Sequence, residues 1–276
     1  MLKDIFGGRR YAAAARQPGQ ELSPSEIRKR TASAHAGAPL DRHLEIALGG
    51  LRIGEHDLRT LSDSCLADSD SKVPPLKALH RPLASFFLAR YFLHAMALGG
   101  EFAECGVFRG TSALFLCRAA KTRIPGYAGE GLHLIDSFEG ISQPSDEDAF
   151  DARGKDGSLV RTTVPQGALS APVDVVRQSM RDFPKVRMHQ GWIPGVFQQL
   201  PDTQWAFVHI DVDLFDPTRD CLEYFFPRLN PGGVIVCDDY GSPLFPGARR
   251  AWDQFCEANG VPFVMLDTGQ SVILNV

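Results

Sequence analysis

The stretch from His209 to Tyr240, HIDVDLFDPTRDCLEYFFPRLNPGGVIVCDDY, reads as a strand ending in acids, a helix, a Pro-Gly-Gly turn and a second strand ending in acids. The strand residues are Trp205 to Ile210 and Gly233 to Cys237. Each is a short, largely apolar run bounded by turn signals, the pattern of a strand buried on both faces of a parallel sheet. Between them, Leu222, Phe225, Phe226 and Leu229 share one helical face. A right-handed crossover lays such strands side by side, with their C-terminal ends on one edge. Asp211 and Asp213 then follow one strand, and Asp238 and Asp239 the other. Carboxylates gathered at one edge repel one another unless something positive holds them. A hard divalent cation with oxygen ligands is the natural holder. Asp211, Asp238 and Asp239 form the candidate metal set, and magnesium suits it best. Asp216 reads as the cap of the following helix. Asp213 is open between an acid supporting the ligands and a cofactor contact. His209, inside the strand, reads as a buried and satisfied histidine.

The same alternation extends outward. A strand at Glu101 to Cys105 leads through the turn Gly106 to Gly110 into a helix from Thr111 to about Lys121. Leu132 to Ile135 is the next strand, ending in Asp136-Ser137. A helix near Pro172 to Asp182, a strand at Val186 to Gln190 and the Gly191-Trp192 turn follow. Downstream, a helix at about Gly247 to Asn259 precedes a hairpin of Phe263 to Leu266 and Ser271 to Val276. The expected fold is α/β: a doubly wound, mostly parallel seven-stranded sheet with a C-terminal antiparallel hairpin, the topology of class I methyltransferases. Ligands of such sheets bind beyond the carboxyl ends of the strands, at the switch point.

Residues 1–75 are expected to form an arm with short helices, one starting at Ser23-Pro24-Ser25-Glu26. The catalytic domain is expected over 76–276. An amphipathic helix from Lys77 to Leu98 completes an N-terminal helical extension, packing across the sheet to cover one end of a cofactor cleft. Between Ile141 and Leu169 lies a polar, Gly/Pro-punctuated segment with acids at 146, 147, 148 and 151. A loop that long without periodicity reads as a functional lid or a disordered insertion.

The totals narrow the function. A net charge of −4 and the lack of a basic stripe argue against a nucleic-acid binder. The six cysteines form no C-x-x-C pair and fall within apolar patterns, which favours buried free thiols. With no run of about 18 apolar residues and no signal-peptide core, a cytoplasmic protein without a membrane span is expected.

Several residues at the carboxyl edge suit a cofactor. The glycines of Gly106 to Gly110 let a ligand approach the backbone. Glu104 can pair with a cation such as an amino acid's ammonium. The dinucleotide fingerprint G-x-G-x-x-G is absent, which disfavours an oxidoreductase. Asp136, at a strand tip, is placed to grip the two hydroxyls of a ribose with its two oxygens. Trp192 either stacks on a ring or fills the edge of the core.

EFAECGVFRGTSA, LIDSFEG, HQGW, HIDVDLFDPTRDCL and PGGVIVCDDYG, in that order, resemble the macrocin O-methyltransferase family over about residues 85–260. The resemblance implies S-adenosylmethionine- and magnesium-dependent methylation of a sugar hydroxyl. It implies Asp211, Asp238 and Asp239 as metal ligands, and Glu104, Asp136 and Ser137 as cofactor contacts. More distantly similar catechol methyltransferases carry a lysine base where this chain has Leu214. Asp211 itself or His43 is then the candidate base. The partners implied are a small-molecule or sugar-containing acceptor and a second copy in a homo-oligomer. A catechol-like acceptor and a non-catalytic binding subunit are the competing readings.

Overall fold

The computed structural model describes residues 51–71, 77–154 and 157–276. The helix expected from Ser23 and the candidate base His43 lie outside them. Where short helices were expected, residues 52–57 form a small hairpin, β1 (Arg52–Ile53) and β2 (His56–Asp57). Asp57 then caps α1 (Leu58–Asp68), its carboxylate accepting from the Thr60 N–H at 3.0 Å. Helix α2 (Lys77–Ala95) stops short of Leu98, because the N–H groups of Ala97 and Leu98 turn back to His94 and Ala95 in tighter bonds.

The sheet strands are β3 (Glu101–Cys105), β4 (Leu132–Asp136), β7 (Arg187–Gln190), β8 (Trp205–Ile210), β9 (Leu229–Cys237), β10 (Phe263–Met265) and β11 (Ser271–Leu274). Their order across the sheet is β10-β11-β9-β8-β3-β4-β7. Every pairing is parallel except those of β11, which runs antiparallel to both β9 and β10. This is the doubly wound sheet the alternation predicts. The hairpin does not simply append to it: β11 inserts next to β9, so Ser271 pairs with Cys237. Cys105 pairs with Ile135 and Ile210, and Ile210 with Cys237, so the strands end level.

Helices cover both faces. α2 and α3 (Thr111–Arg123) lie on one, where Phe92 meets Phe102 and Phe207 edge-on at 5.0 and 5.3 Å between centroids. α5 (Phe215–Phe225) and α6 (Pro246–Asn259) lie on the other, around Trp205, Phe225 and Trp252. The C-terminal end of α2 rests on the early part of β9, where His94 meets the Gly232 carbonyl, at the edge opposite the strand ends. Ile53, Leu58, Leu61 and Cys65 join the same core as α3. The core of the sheet domain therefore takes in side chains from before residue 76. A short helix α4 (Val173–Ser179) precedes β7.

Among its described residues, the segment read as a lid carries regular structure: a 3-10 turn at Asp146–Asp148 and a hairpin, β5 (Phe150–Arg153) and β6 (Leu159–Thr162). Ile141 and Val164 pack with Leu214 and Phe245 of the body. All six cysteines are buried free thiols, as expected. Among the described residues, no helix is long and apolar enough to cross a membrane.

Candidate active site

The chain leaves β3 towards β4 on one side, while β8 lies on the other. The crevice beyond their carboxyl ends is the switch point of the sheet. Gly106 stands in it with φ +83, and a β-carbon there would lie 1.8 Å from the Asp211 carbonyl oxygen. Its glycine character therefore serves the contact between two strand ends, in addition to any ligand.

Asp136, at the tip of β4, is committed to this turn. One oxygen accepts from the N–H groups of Val107 (2.7 Å) and Phe108 (3.0 Å), and the other from Phe138 (2.7 Å). A carboxylate has about four acceptor sites, so these three bonds leave a site on Oδ1, and Asp136 shapes the turn beside any hydroxyl it receives. Ser137 is likewise local: its hydroxyl accepts from the Glu139 N–H at 3.1 Å. Trp192 is 39% exposed, so it does not fill the core and offers a ring face at the end of β7.

Glu104 and His209 are neighbours across β3 and β8, both 1% exposed. Nδ1 of His209 lies 3.3 Å from Glu104, and Nε2 lies 3.6 Å from Asp238, beyond hydrogen-bond reach but well within electrostatic reach. Burial opposes protonation of this imidazole, yet the Asp238 and Glu104 carboxylates outweigh it and hold His209 well above its usual range. A cation fixed behind the acids partly offsets their repulsion.

The acids assemble around Asp211. Ligand atoms of Asp211, Asp238 and His209 lie within 4.8 Å of one another, as do those of Asp211, Asp213 and Asp239. Asp211 is common to both groups, and Asp213 joins the second. Burial, then the Asp238 and Asp239 carboxylates, push the Asp211 carboxyl well above the ordinary range. The donor set fits a hard divalent cation: carboxylate oxygens dominate, and they converge. Asp239 is buried and accepts from the Asp213 N–H at 2.9 Å, while Asp213 itself is held at φ +66.

Three contributors escaped the sequence reading. Gln270, buried at the turn before β11, donates its Nε2 to Asp238 at 2.8 Å and is fixed by Thr268. Arg109 ties the turn after β3 to the end of α1, through Asp70 (2.5 Å) and the Ser69 carbonyl (3.0 Å). Asp148 supplies the acceptor at the start of α5, where Phe215 N–H donates at 2.7 Å. Asp216 is not the cap. Leu214 is the capping residue, without a side-chain bond, and Asp216 sits in the first turn paired with Arg219 at 2.7 Å. Each lay in a stretch with a sequence signal of another kind: Gln270 in the turn of a hairpin, Arg109 in the glycine turn after β3, and Asp148 in the acidic patch of the insertion.

The model of the macrocin O-methyltransferase family matches residues 91–272, about two thirds of the chain. The chain belongs to the macrocin O-methyltransferase family. A curated relative from Streptomyces olivaceus, 8-demethyl-8-(2,3-dimethoxy-alpha-L-rhamnosyl)-tetracenomycin-C 4'-O-methyltransferase, is 32% identical over 146 residues, 51% of this chain and 53% of that protein. The matches span about half to three fifths of the length of the curated relatives. The O-methyltransferase NovP has a similar fold, with a TM-score of 0.59 at 18% identity over 79% of this chain and 96% of that one. The SAH-bound Podospora anserina methyltransferase PaMTH1 aligns with a TM-score of 0.51 at 14% identity, over 93% of this chain and 98% of that one. These likenesses establish the class I methyltransferase fold.

Proposed function

We propose that this chain is an S-adenosylmethionine-dependent O-methyltransferase, with magnesium held by Asp211, Asp238 and Asp239, acting on a sugar hydroxyl flanked by a second oxygen. Two acid-rich groups that share Asp211, one with Asp238 and His209 and one with Asp213 and Asp239, lie at the strand ends beside the Gly106–Gly110 turn and are the observation that carries it. Family membership and the rhamnosyl acceptor in the name of one relative support the sugar. The SAH-bound fold relative supports the methyl donor.

A sugar alcohol has a high pKa and is a poor nucleophile; a divalent cation at these acids supplies the charge that lowers it. The Gly106–Gly110 turn, shaped by Asp136, and the buried Glu104 receive the donor's amino-acid end. Trp192 offers its exposed ring to the base. The acceptor oxygen is then oriented within roughly 3–3.5 Å of the methyl carbon, in line with the breaking bond. The O–C bond forms as the S–C bond breaks, leaving S-adenosylhomocysteine, and the hydroxyl proton passes to a carboxylate. Asp211 is one candidate for that role. Asp213, less buried than Asp239 and beside Asp211, is the better proton acceptor once Asp211 holds the cation.

Thermal-shift measurements with S-adenosylhomocysteine, NAD and NADP, each with and without Mg2+, test the assignment. Stabilisation by S-adenosylhomocysteine is expected, increased by Mg2+. Stabilisation by NAD alone would overturn it.

A further inference from the structure

Asp148 is an acid of the insertion, 3% exposed, whose carboxylate bridges that insertion and the body. Oδ2 accepts from the Ser145 N–H at 2.7 Å and from the Ser145 hydroxyl at 2.9 Å. Oδ1 accepts from the N–H of Phe215, the first residue of α5, at 2.7 Å. Gly247, in the first turn of α6, closes the space from the other side. A β-carbon there would lie 1.9 Å from Asp148 Oδ1 and 2.8 Å from Phe215 N. One carboxylate therefore sits at the starts of two helices, where unpaired N–H groups and the helix dipoles favour negative charge.

Both helices begin just after the acid-bearing loops. Leu214 and Phe245, the residues immediately before them, pack with Ile141 and Val164 of the insertion. The backbone from Asp213 to Phe215 is held at both ends: Asp239 accepts from the Asp213 N–H at 2.9 Å, and Asp148 from the Phe215 N–H. Asp213 lies within this clamp at φ +66, a conformation costly for a residue with a side chain unless its surroundings enforce it.

We propose that Asp148 is a positioning residue that locks Asp213–Phe215 so that the Asp213 N–H orients the Asp239 carboxylate, one of the proposed cation ligands, coupling cation affinity to the seating of the insertion. The proposal rests on the reading of the acid edge as a divalent-cation site. Coupling is reciprocal: if the seated insertion favours the cation, the cation favours the seated insertion. A helix cap with a purely structural role would weaken both ligands alike. A positioning role weakens the cation selectively.

The test titrates Mg2+ alone, and separately S-adenosylhomocysteine alone, into the full chain and into the variants Asp148→Ala, Asp148→Asn and Ser145→Ala. Tryptic cleavage at Arg153 and Arg161 is followed in parallel, with and without Mg2+. Asp148→Ala is expected to lose about tenfold or more in Mg2+ affinity, the scale seen when a group supporting a metal ligand is removed. S-adenosylhomocysteine affinity should stay near the wild-type value. Asp148→Asn keeps an oxygen for the Phe215 N–H and should lose less. Ser145→Ala removes one donor and should fall in the same direction, which provides a reading should Asp148→Ala not fold. Mg2+ should slow cleavage in the wild type and have a weaker effect in the variants. Wild-type Mg2+ affinity in folded Asp148 and Ser145 variants overturns this proposal alone, as does an equal loss for both ligands. A wild-type chain that takes up no Mg2+ overturns it together with the cation site.

Discussion

Gly106 and Gln270 show how single residues hold the two halves of the site in register. The Asp211 carbonyl occupies the place where a side chain at 106 would begin, and the backbone there has φ +83. Gly106→Ala must strain that conformation, at about 1–3 kcal/mol, and also push Asp211 away. Thermal unfolding should show the loss of stability, and calorimetry should show weaker binding of both Mg2+ and S-adenosylhomocysteine. Gln270 acts on one half only. Gln270→Leu removes the N–H that orients Asp238, and should weaken Mg2+ binding while leaving S-adenosylhomocysteine binding unchanged. Unchanged Mg2+ affinity would assign Gln270 a packing role. At this scale the sequence was partly legible. Acids after apolar strands announce themselves, because nothing in a strand end requires them. Gln270 did not, since its partner Asp238 becomes adjacent only when β11 inserts beside β9.

Among the elements, the strands and the main helices were legible because each carries its own periodicity. The insertion was not. Its short strands pair with each other, and its apolar residues are few and widely spaced, so no local pattern marks Ile141 and Val164 as partners of Leu214 and Phe245. The same limit explains Asp216, which has the sequence context of a cap while a distant carboxylate, Asp148, does the capping. This makes a contrast that unfolding measurements can check. Asp216→Ala breaks only a surface pair with Arg219 and should change stability by less than about 0.5 kcal/mol. Phe92→Ala, on α2, vacates the contact with Phe102 and Phe207 and should cost about 3–5 kcal/mol.

In the whole molecule, buried ionisable groups gather both at the site and away from it. Away from the site, near the start of β4, His133 stacks on His189 at 5.0 Å and lies between that ring, Glu101 and Arg187. Burial holds both imidazoles below their usual range, Glu101 only partly opposing it at His133. At these two rings the unfolded chain binds protons that the folded one refuses as pH falls below about 6.5, so their contribution to stability declines with falling pH, while the raised His209 and Asp211 act in the opposite sense. Chemical denaturation between about pH 7.5 and pH 5.5, compared for the wild type and a His133→Gln/His189→Gln pair, should show the difference in stability between the two shifting against the wild type as pH falls through the ordinary histidine range. At the site, the collected acids, the glycine turn and the buried Glu104–His209 pair carry the proposed chemistry. Under that proposal, methyl transfer depends on a cation at Asp211. The direct measurement is conversion of S-adenosylmethionine to S-adenosylhomocysteine on a rhamnosylated acceptor, in EDTA and again after Mg2+ is restored, for the wild type and Asp211→Asn. Activity that is lost in EDTA, returns with Mg2+ and is absent from Asp211→Asn under both conditions is the predicted result; full turnover in EDTA would contradict it.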